Sequence, residues 1–148
     1  MKKVINVAAV IVGAATLLTT GGTGAHAASK IQIYRVYYNS PGTDNRTNAS
    51  LNAEYVVLKN TGSTSQSLKS WTLRDKASHI YTFGTFTLGA QKYVTIHTGS
   101  GTNSSTRRYW NSRAYIWNNT GDTAYLRTAS GTAADSCSWG SSGSNRYC

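Results

Sequence analysis

From residue 30 onward, apolar and polar positions alternate with a period of two, and no stretch carries the 3.6-residue period of an amphipathic helix. Segments rich in Val, Ile, Thr, Tyr and Trp recur at 30–38, 53–60, 66–75, 79–84, 92–98, 113–119 and 123–129. Between them lie clusters of Gly, Ser, Thr, Asn and Asp, the residues that turns require. Seven short strands at this spacing predict an all-β, antiparallel sandwich or barrel. In the second segment Tyr55, Val57 and Lys59 share one face while Glu54, Val56 and Leu58 share the other. Apolar residues on both faces predict a central strand. Leu68, Trp71 and Leu73 break strict alternation, which predicts a bulge near Ser70. Gly121, between the last two segments, can take the positive φ of a tight hairpin. The loosest stretches are 39–52, with the chain's single Pro, and 99–112.

Ahead of these segments, Lys2 and Lys3 precede an apolar run at 4–18, then small and polar residues up to Ala25-His26-Ala27, the shape of a signal-peptidase site. Residues 1–27 are therefore read as a signal peptide and 28–148 as a single mature domain. The apolar run is shorter than the roughly 20 residues that span a bilayer, so no transmembrane segment is expected after cleavage. The expected address is secreted, with association to the cell wall as a variant. Without Lys2 and Lys3, the mature part carries 13 Lys and Arg against 5 Asp and Glu, a net charge of +8 with His neutral. A chain of about 120 residues buries close to two-thirds of its unfolded surface, which suffices for one core without metal or cofactor. Cys137 and Cys148 are expected to form a disulfide in an oxidising exterior. So short a loop contributes at most about 3 kcal/mol on the chain-entropy model, enough to pin the tail.

The strands, in order, carry a set of local motifs. These are Asn52-Ala53-Glu54-Tyr55-Val56-Val57-Leu58-Lys59-Asn60-Thr61-Gly62, then Leu68 with Trp71-Thr72-Leu73-Arg74-Asp75, then Tyr81-Thr82-Phe83 and Leu88. Val94-Thr95-Ile96-His97-Thr98-Gly99-Ser100-Gly101 follows, and then Trp117-Asn118-Asn119-Thr120-Gly121-Asp122-Thr123-Ala124-Tyr125-Leu126. Over roughly 30–139 this pattern resembles the lamin tail domain, an immunoglobulin-like β-sandwich found in nuclear lamins and in many exported bacterial proteins. The chain looks like a short secreted bacterial member. It departs from the family in having Ser70 where Gly usually precedes the Trp, and Gly84 where Pro often follows the Phe. The resemblance implies a binding or scaffolding module without a catalytic motif of its own, associated in lamins with nucleic acid and protein partners. It also implies packing roles for Trp71 and Trp117, and turn-acceptor roles for Asp75 and Asp122.

An enzyme needs a constellation, and Asp44, Glu54, Asp75, Asp122 and Asp135 show no paired spacing. Only an approach of Glu54 and Asp75 across strands would supply a glycosidase-like pair. His79 and His97, each in a predicted strand, are expected as hydrogen-bonded, half-buried rings. Asp44, Asn45 and Asn48 offer the oxygens that calcium favours, but they are equally ordinary loop residues, and no metal site is assigned. Arg107, Arg108, Tyr109, Trp110 and Arg113 fall within seven positions and form the candidate ligand-binding group: cations for phosphates and rings for stacking. The leading expectation is a secreted, non-catalytic module that binds anionic polymers such as extracellular DNA, wall polymer or acidic polysaccharide. An envelope-associated structural or scaffolding protein, with envelope proteins as partners, is the alternative, and a small secreted hydrolase the third.

Overall fold

The computed structural model describes residues 29–148, so the expected signal peptide at 1–27 lies outside the described residues. The chain forms β1 (Ile31–Tyr37), a single helical turn α1 (Asn48–Asn52), β2 (Tyr55–Asn60), β3 (Gln66–Ser67), β4 (Thr72–Arg74) and β5 (Ile80–Thr82). It continues with β6 (Thr87–Leu88), β7 (Tyr93–His97), β8 (Arg107–Tyr109), β9 (Asp122–Arg127), β10 (Ala133–Trp139) and β11 (Asn145–Tyr147). One sheet has the order β11-β1-β2-β7-β8, the other β10-β9-β4-β5, and β3 with β6 makes a small ribbon. The architecture is the immunoglobulin-like sandwich read from the sequence, with β2 central in its sheet. The described strand pairs are antiparallel except β7 with β8, which run parallel. The chain reaches that alignment through the long loop after β7.

The core lies between the two main sheets. Ile31, Ile33 and Val36 of β1, Val56 and Leu58 of β2, and Val94 and Ile96 of β7 meet Leu73 of β4 and Ala124 and Leu126 of β9. The buried set in β1 skips from 33 to 36 because the register with β2 shifts between Ile33 and Arg35. This irregularity reverses the phase of alternation and turns both Tyr34 and Arg35 away from the core.

The segment expected as one strand at 66–75 is two, β3 and β4, in different sheets. Ser70 stands between them at φ 64, and the Trp71 amide donates to the Leu68 carbonyl. The expected bulge is thus a tight left-handed turn, which lets Leu68, Trp71 and Leu73 all point inward despite their spacing. The expected strand at 113–119 is absent. There the Ile116 amide donates to the Glu54 carboxylate and the Asn118 amide to Asp122, so side chains replace the ladder. Gly121 does take a positive φ of 133, but in a turn entering β9 rather than in a β-hairpin. Strands β6, β8, β10 and β11 lie where no strand was expected, two of them in Ser-rich sequence. α1 is closed by the Thr47 hydroxyl, which accepts from the Ser50 amide.

Cys137 and Cys148 are bonded as expected. Cys137 lies in β10 of the second sheet, and Cys148 follows β11 at the edge of the first, so the cystine staples one side of the sandwich. On that side Cys148 also donates its amide to the Tyr34 carbonyl.

Trp71 is 8% exposed and belongs to the core cluster. Trp71→Ala is expected to destabilise by about 3–5 kcal/mol, the range for truncating a buried aromatic. In a domain of this size that lowers the thermal midpoint by about 10 °C or more. A variant melting within a degree or two of wild type would place Trp71 outside the core.

Candidate binding face

Strand β8 distributes the five residues of the Arg107–Arg113 group instead of gathering them. Its register sets Arg107 opposite Thr95, Arg108 opposite Ile96 and Tyr109 opposite His97. Since Ile96 faces the core, so does Arg108, whose guanidinium lies 4.1 Å from the centroid of buried Phe86. Trp110 packs against the core, edge-on to Trp117 at 5.8 Å. Arg113 is exposed in the loop beyond. Only Arg107 and Tyr109 share the outer face of the five-stranded sheet, and there they meet residues that sequence reasoning did not select.

Register arranges that face in three rows running across the strands. In the first, Tyr37, Tyr55, His97 and Tyr109 stand side by side. Successive ring centroids are 5.4, 5.7 and 5.3 Å apart. Tyr109 is further held by Gly101, where a Cβ would collide with the Tyr109 ring, so only glycine lets the loop after β7 close over it. The middle row is Tyr147, Arg35, Val57, Thr95 and Arg107. The third sets Gln32, Lys59 and Tyr93 abreast. Tyr34 reaches over from the β1 irregularity to within 5.2 Å of Tyr93 and 5.6 Å of Tyr147.

Cations interleave the rings. The Arg35 guanidinium is 5.2 Å from the Tyr37 centroid and 4.8 Å from that of Tyr147, and Lys59 Nζ is 5.2 Å from Tyr93. Such contacts hold long side chains in place without neutralising them. None of the three rows contains an Asp or Glu. His97 Nδ1 donates to the Asn52 carbonyl, and burial, with the Arg107 charge adding to it, lowers its pKa. It therefore sits in the aromatic row as a neutral ring. Charge is not confined to this face: on the outer side of the second sheet Arg74 lies 5.7 Å from the Tyr125 centroid, and Arg127 stands opposite Thr72.

The carboxylates are spent on backbone. Asp75 accepts from the His79 amide and from His79 Nδ1, and Asp122 accepts from the amides of Lys76, Asn118 and Thr123. Both are the turn acceptors expected. His79, however, is exposed in the turn before β5 rather than half-buried in a strand, whereas His97 is half-buried as expected. Glu54 Oε1 accepts from Thr98 Oγ1 at 2.7 Å and from the Ile116 amide at 2.8 Å. Glu54 and Asp75 thus serve separate loops. In the 39–52 loop, Asn45 caps Thr47 and Asn48 bonds Ser100 in both directions, so the oxygens considered for calcium point to different partners. Among the described residues, no group of three His, Cys, Asp or Glu converges on a metal-sized site.

Comparison with known proteins accords with the sandwich. The family model described as Lamin Tail Domain matches residues 24–141, and no curated protein matches the chain.

Burial dominates the ionisation of Glu54, outweighing the hydrogen bonds from Thr98 and the Ile116 and Trp117 amides, and pushes its pKa to about 7. The folded state therefore holds this proton more tightly than the unfolded chain. The resulting stabilisation is complete below the ordinary value of 4.5 and is lost as pH rises through about 7. Wild type is expected to lose roughly 3 kcal/mol relative to Glu54→Gln between pH 4.5 and pH 8, measured by urea unfolding. Referring to the variant removes the contribution of His97, which runs in the opposite sense. Parallel pH profiles would assign the titration elsewhere.

Proposed function

The chain belongs to the lamin tail domain family, and on that premise we propose that it is a secreted, non-catalytic module that binds anionic polymers on the outer face of its five-stranded sheet. The observation that carries this reading is the face itself: Arg35, Lys59 and Arg107 set among six tyrosines, with no carboxylate in any row. Desolvating such a face against an acidic polymer leaves no like-signed repulsion from the protein and releases counterions from the polymer. Secretion is supported by the leader pattern at 1–27 and by the cystine, a bond that persists in oxidising surroundings. No helix among the described residues is long and apolar enough to cross a membrane.

Two features support the non-catalytic part. The family is immunoglobulin-like and generally non-enzymatic, and the buried carboxylates Glu54, Asp75 and Asp122 are committed to backbone amides rather than facing one another across a cleft. The presence of Arg74 and Arg127 on the opposite outer face favours a second reading, an envelope-associated scaffold whose charge acts from both sides. In either case partners are polyanions or envelope components, and no cofactor is invoked.

Binding to a DNA duplex or to a polyphosphate is expected to weaken steeply as salt rises. Replacing Arg35, Lys59 and Arg107 together by Gln is expected to reduce the slope of log K against log salt by up to about three units, roughly 0.9 for each phosphate no longer neutralised. Arg113→Gln is expected to leave that slope unchanged. An unaltered slope in the triple variant, with Arg74→Gln and Arg127→Gln flattening it instead, would move the site to the other sheet and favour the scaffold reading.

A further inference from the structure

The middle row of the face differs from its neighbours. Where the flanking rows carry rings and Lys59, its centre is Val57 and Thr95, two short β-branched side chains abreast on adjacent strands. The row is therefore the floor of a shallow trough, walled by Tyr55 and His97 on one side and by Lys59 and Tyr93 on the other. The backbones of Arg35 and Arg107 stand at its two ends, three strand steps or about 14 Å apart, with the Arg35 guanidinium turned over Tyr147 and donating to Asn145 Oδ1. Beyond Thr95 the trough runs into a groove of about 540 Å³ that Leu88, Lys92, Tyr93 and Thr106 also line. The groove exists because β8 begins opposite Thr95 and leaves the β7 edge at Tyr93 uncovered.

Resting on the polyanion reading above, we propose that this trough and groove bind an acidic polysaccharide whose chain crosses the strands, its carboxylates at Arg35 and at Arg107, and a neutral sugar between them on Val57 and Thr95. Charge spacing selects the class of polymer. A nucleic acid strand carries its phosphates closer together than the two arginines stand, so phosphate would have to lie over the uncharged floor between them. Taking that charge out of water there is compensated only from the wall, by Lys59, whose Nζ is already held over the Tyr93 ring. A chain that alternates acidic and neutral sugars sets a neutral residue over that floor and its charges toward the two ends.

The rings point the same way. Stacking a nucleobase needs an open ring face. Here Tyr37 stacks on Tyr55 and His97 on Tyr109, while Gly101 closes over the far side of Tyr109. The more exposed rings of the face, Tyr34, Tyr93 and Tyr147, are engaged edge to face with one another and by Arg35 and Lys59, and the phenol hydroxyls are the polar groups left. These groups both donate and accept hydrogen bonds and suit the hydroxyls of a sugar.

The experiment compares hyaluronan oligosaccharides, which alternate uronate and neutral amino sugar, with oligothymidylate of equal charge and with neutral dextran, at one salt concentration. Titration is followed calorimetrically and by amide chemical shifts of the intact folded domain. The expected result is hyaluronan binding at least tenfold tighter than oligothymidylate, no dextran binding, and shifts concentrated at Val57, Thr95 and Tyr93. Arg35→Gln and Arg107→Gln are each expected to weaken hyaluronan about tenfold, the scale of one charged hydrogen bond. Arg74→Gln serves as the control on the opposite face and is expected to change nothing. Oligothymidylate binding as tightly as hyaluronan would overturn this proposal and leave the polyanion reading standing. Failure of both polymers to bind would overturn the two together. Dextran binding as well as hyaluronan, or shifts confined to the second sheet, would also overturn it.

Discussion

A sandwich of short strands leaves much backbone outside its ladders, and every buried amide there must find an acceptor. In this chain carboxylates supply them: Asp135 for the Ile33 amide, and three others for the loops. Glu54 reaches from the start of β2 to the Ile116 amide and to Thr98, Asp75 closes the turn before β5, and Asp122 gathers amides from three separate stretches. Each is fully buried. The irregular course of 113–119, which brings Trp117 under Trp139 at the end of the core, depends on these bonds and not on pairing. Carboxylates used in this way are lost to the surface, and the basic character of the exterior follows from that loss as much as from the number of Lys and Arg.

The face of the five-stranded sheet follows from two further local facts. The register of β2 against β1 and β7 sets ring beside ring and keeps Val57 beside Thr95. The phase change in β1 adds Tyr34 and Arg35 to the same side, and β11, tied at its end to β10 by the cystine, pairs with β1 and sets Tyr147 beside Arg35. The face is therefore built by the pairing of five distant segments and has no counterpart in any one stretch of sequence.

That explains what could and could not be read in advance. Alternation in 53–60 separates Val56 and Leu58 from Tyr55, Val57 and Lys59, and the structure keeps that division. The sandwich, the central place of β2 and the cystine were legible from local pattern or from chemistry that needs no partner strand, and the packing of Trp71 and Trp117 from the family resemblance. The strands β10 and β11 were not, since Ala, Ser and Asp say little about a strand whose stability comes from its neighbours. The segment 113–119 misled in the opposite way: its aromatic and aliphatic residues are buried by a loop. The Arg107–Arg113 group was close in sequence but not in space. A two-residue period over 107–109 sends Arg107 and Tyr109 outward and Arg108 inward, and that period is the signal that separates them.

Among the side-chain carboxylates only Asp44 is exposed, while arginines occupy both broad sides of the sandwich. Lys and Arg keep their charge throughout the physiological range, so the field around the molecule is nearly independent of acidity. Copies in solution repel one another throughout that range. An acidic chain laid along one broad side cancels the charge there and leaves the other side facing outward, still positive. On the proposed reading a second acidic chain would be drawn to that side, and the domain would act as mortar between polymer strands, its cohesion weakening with ionic strength.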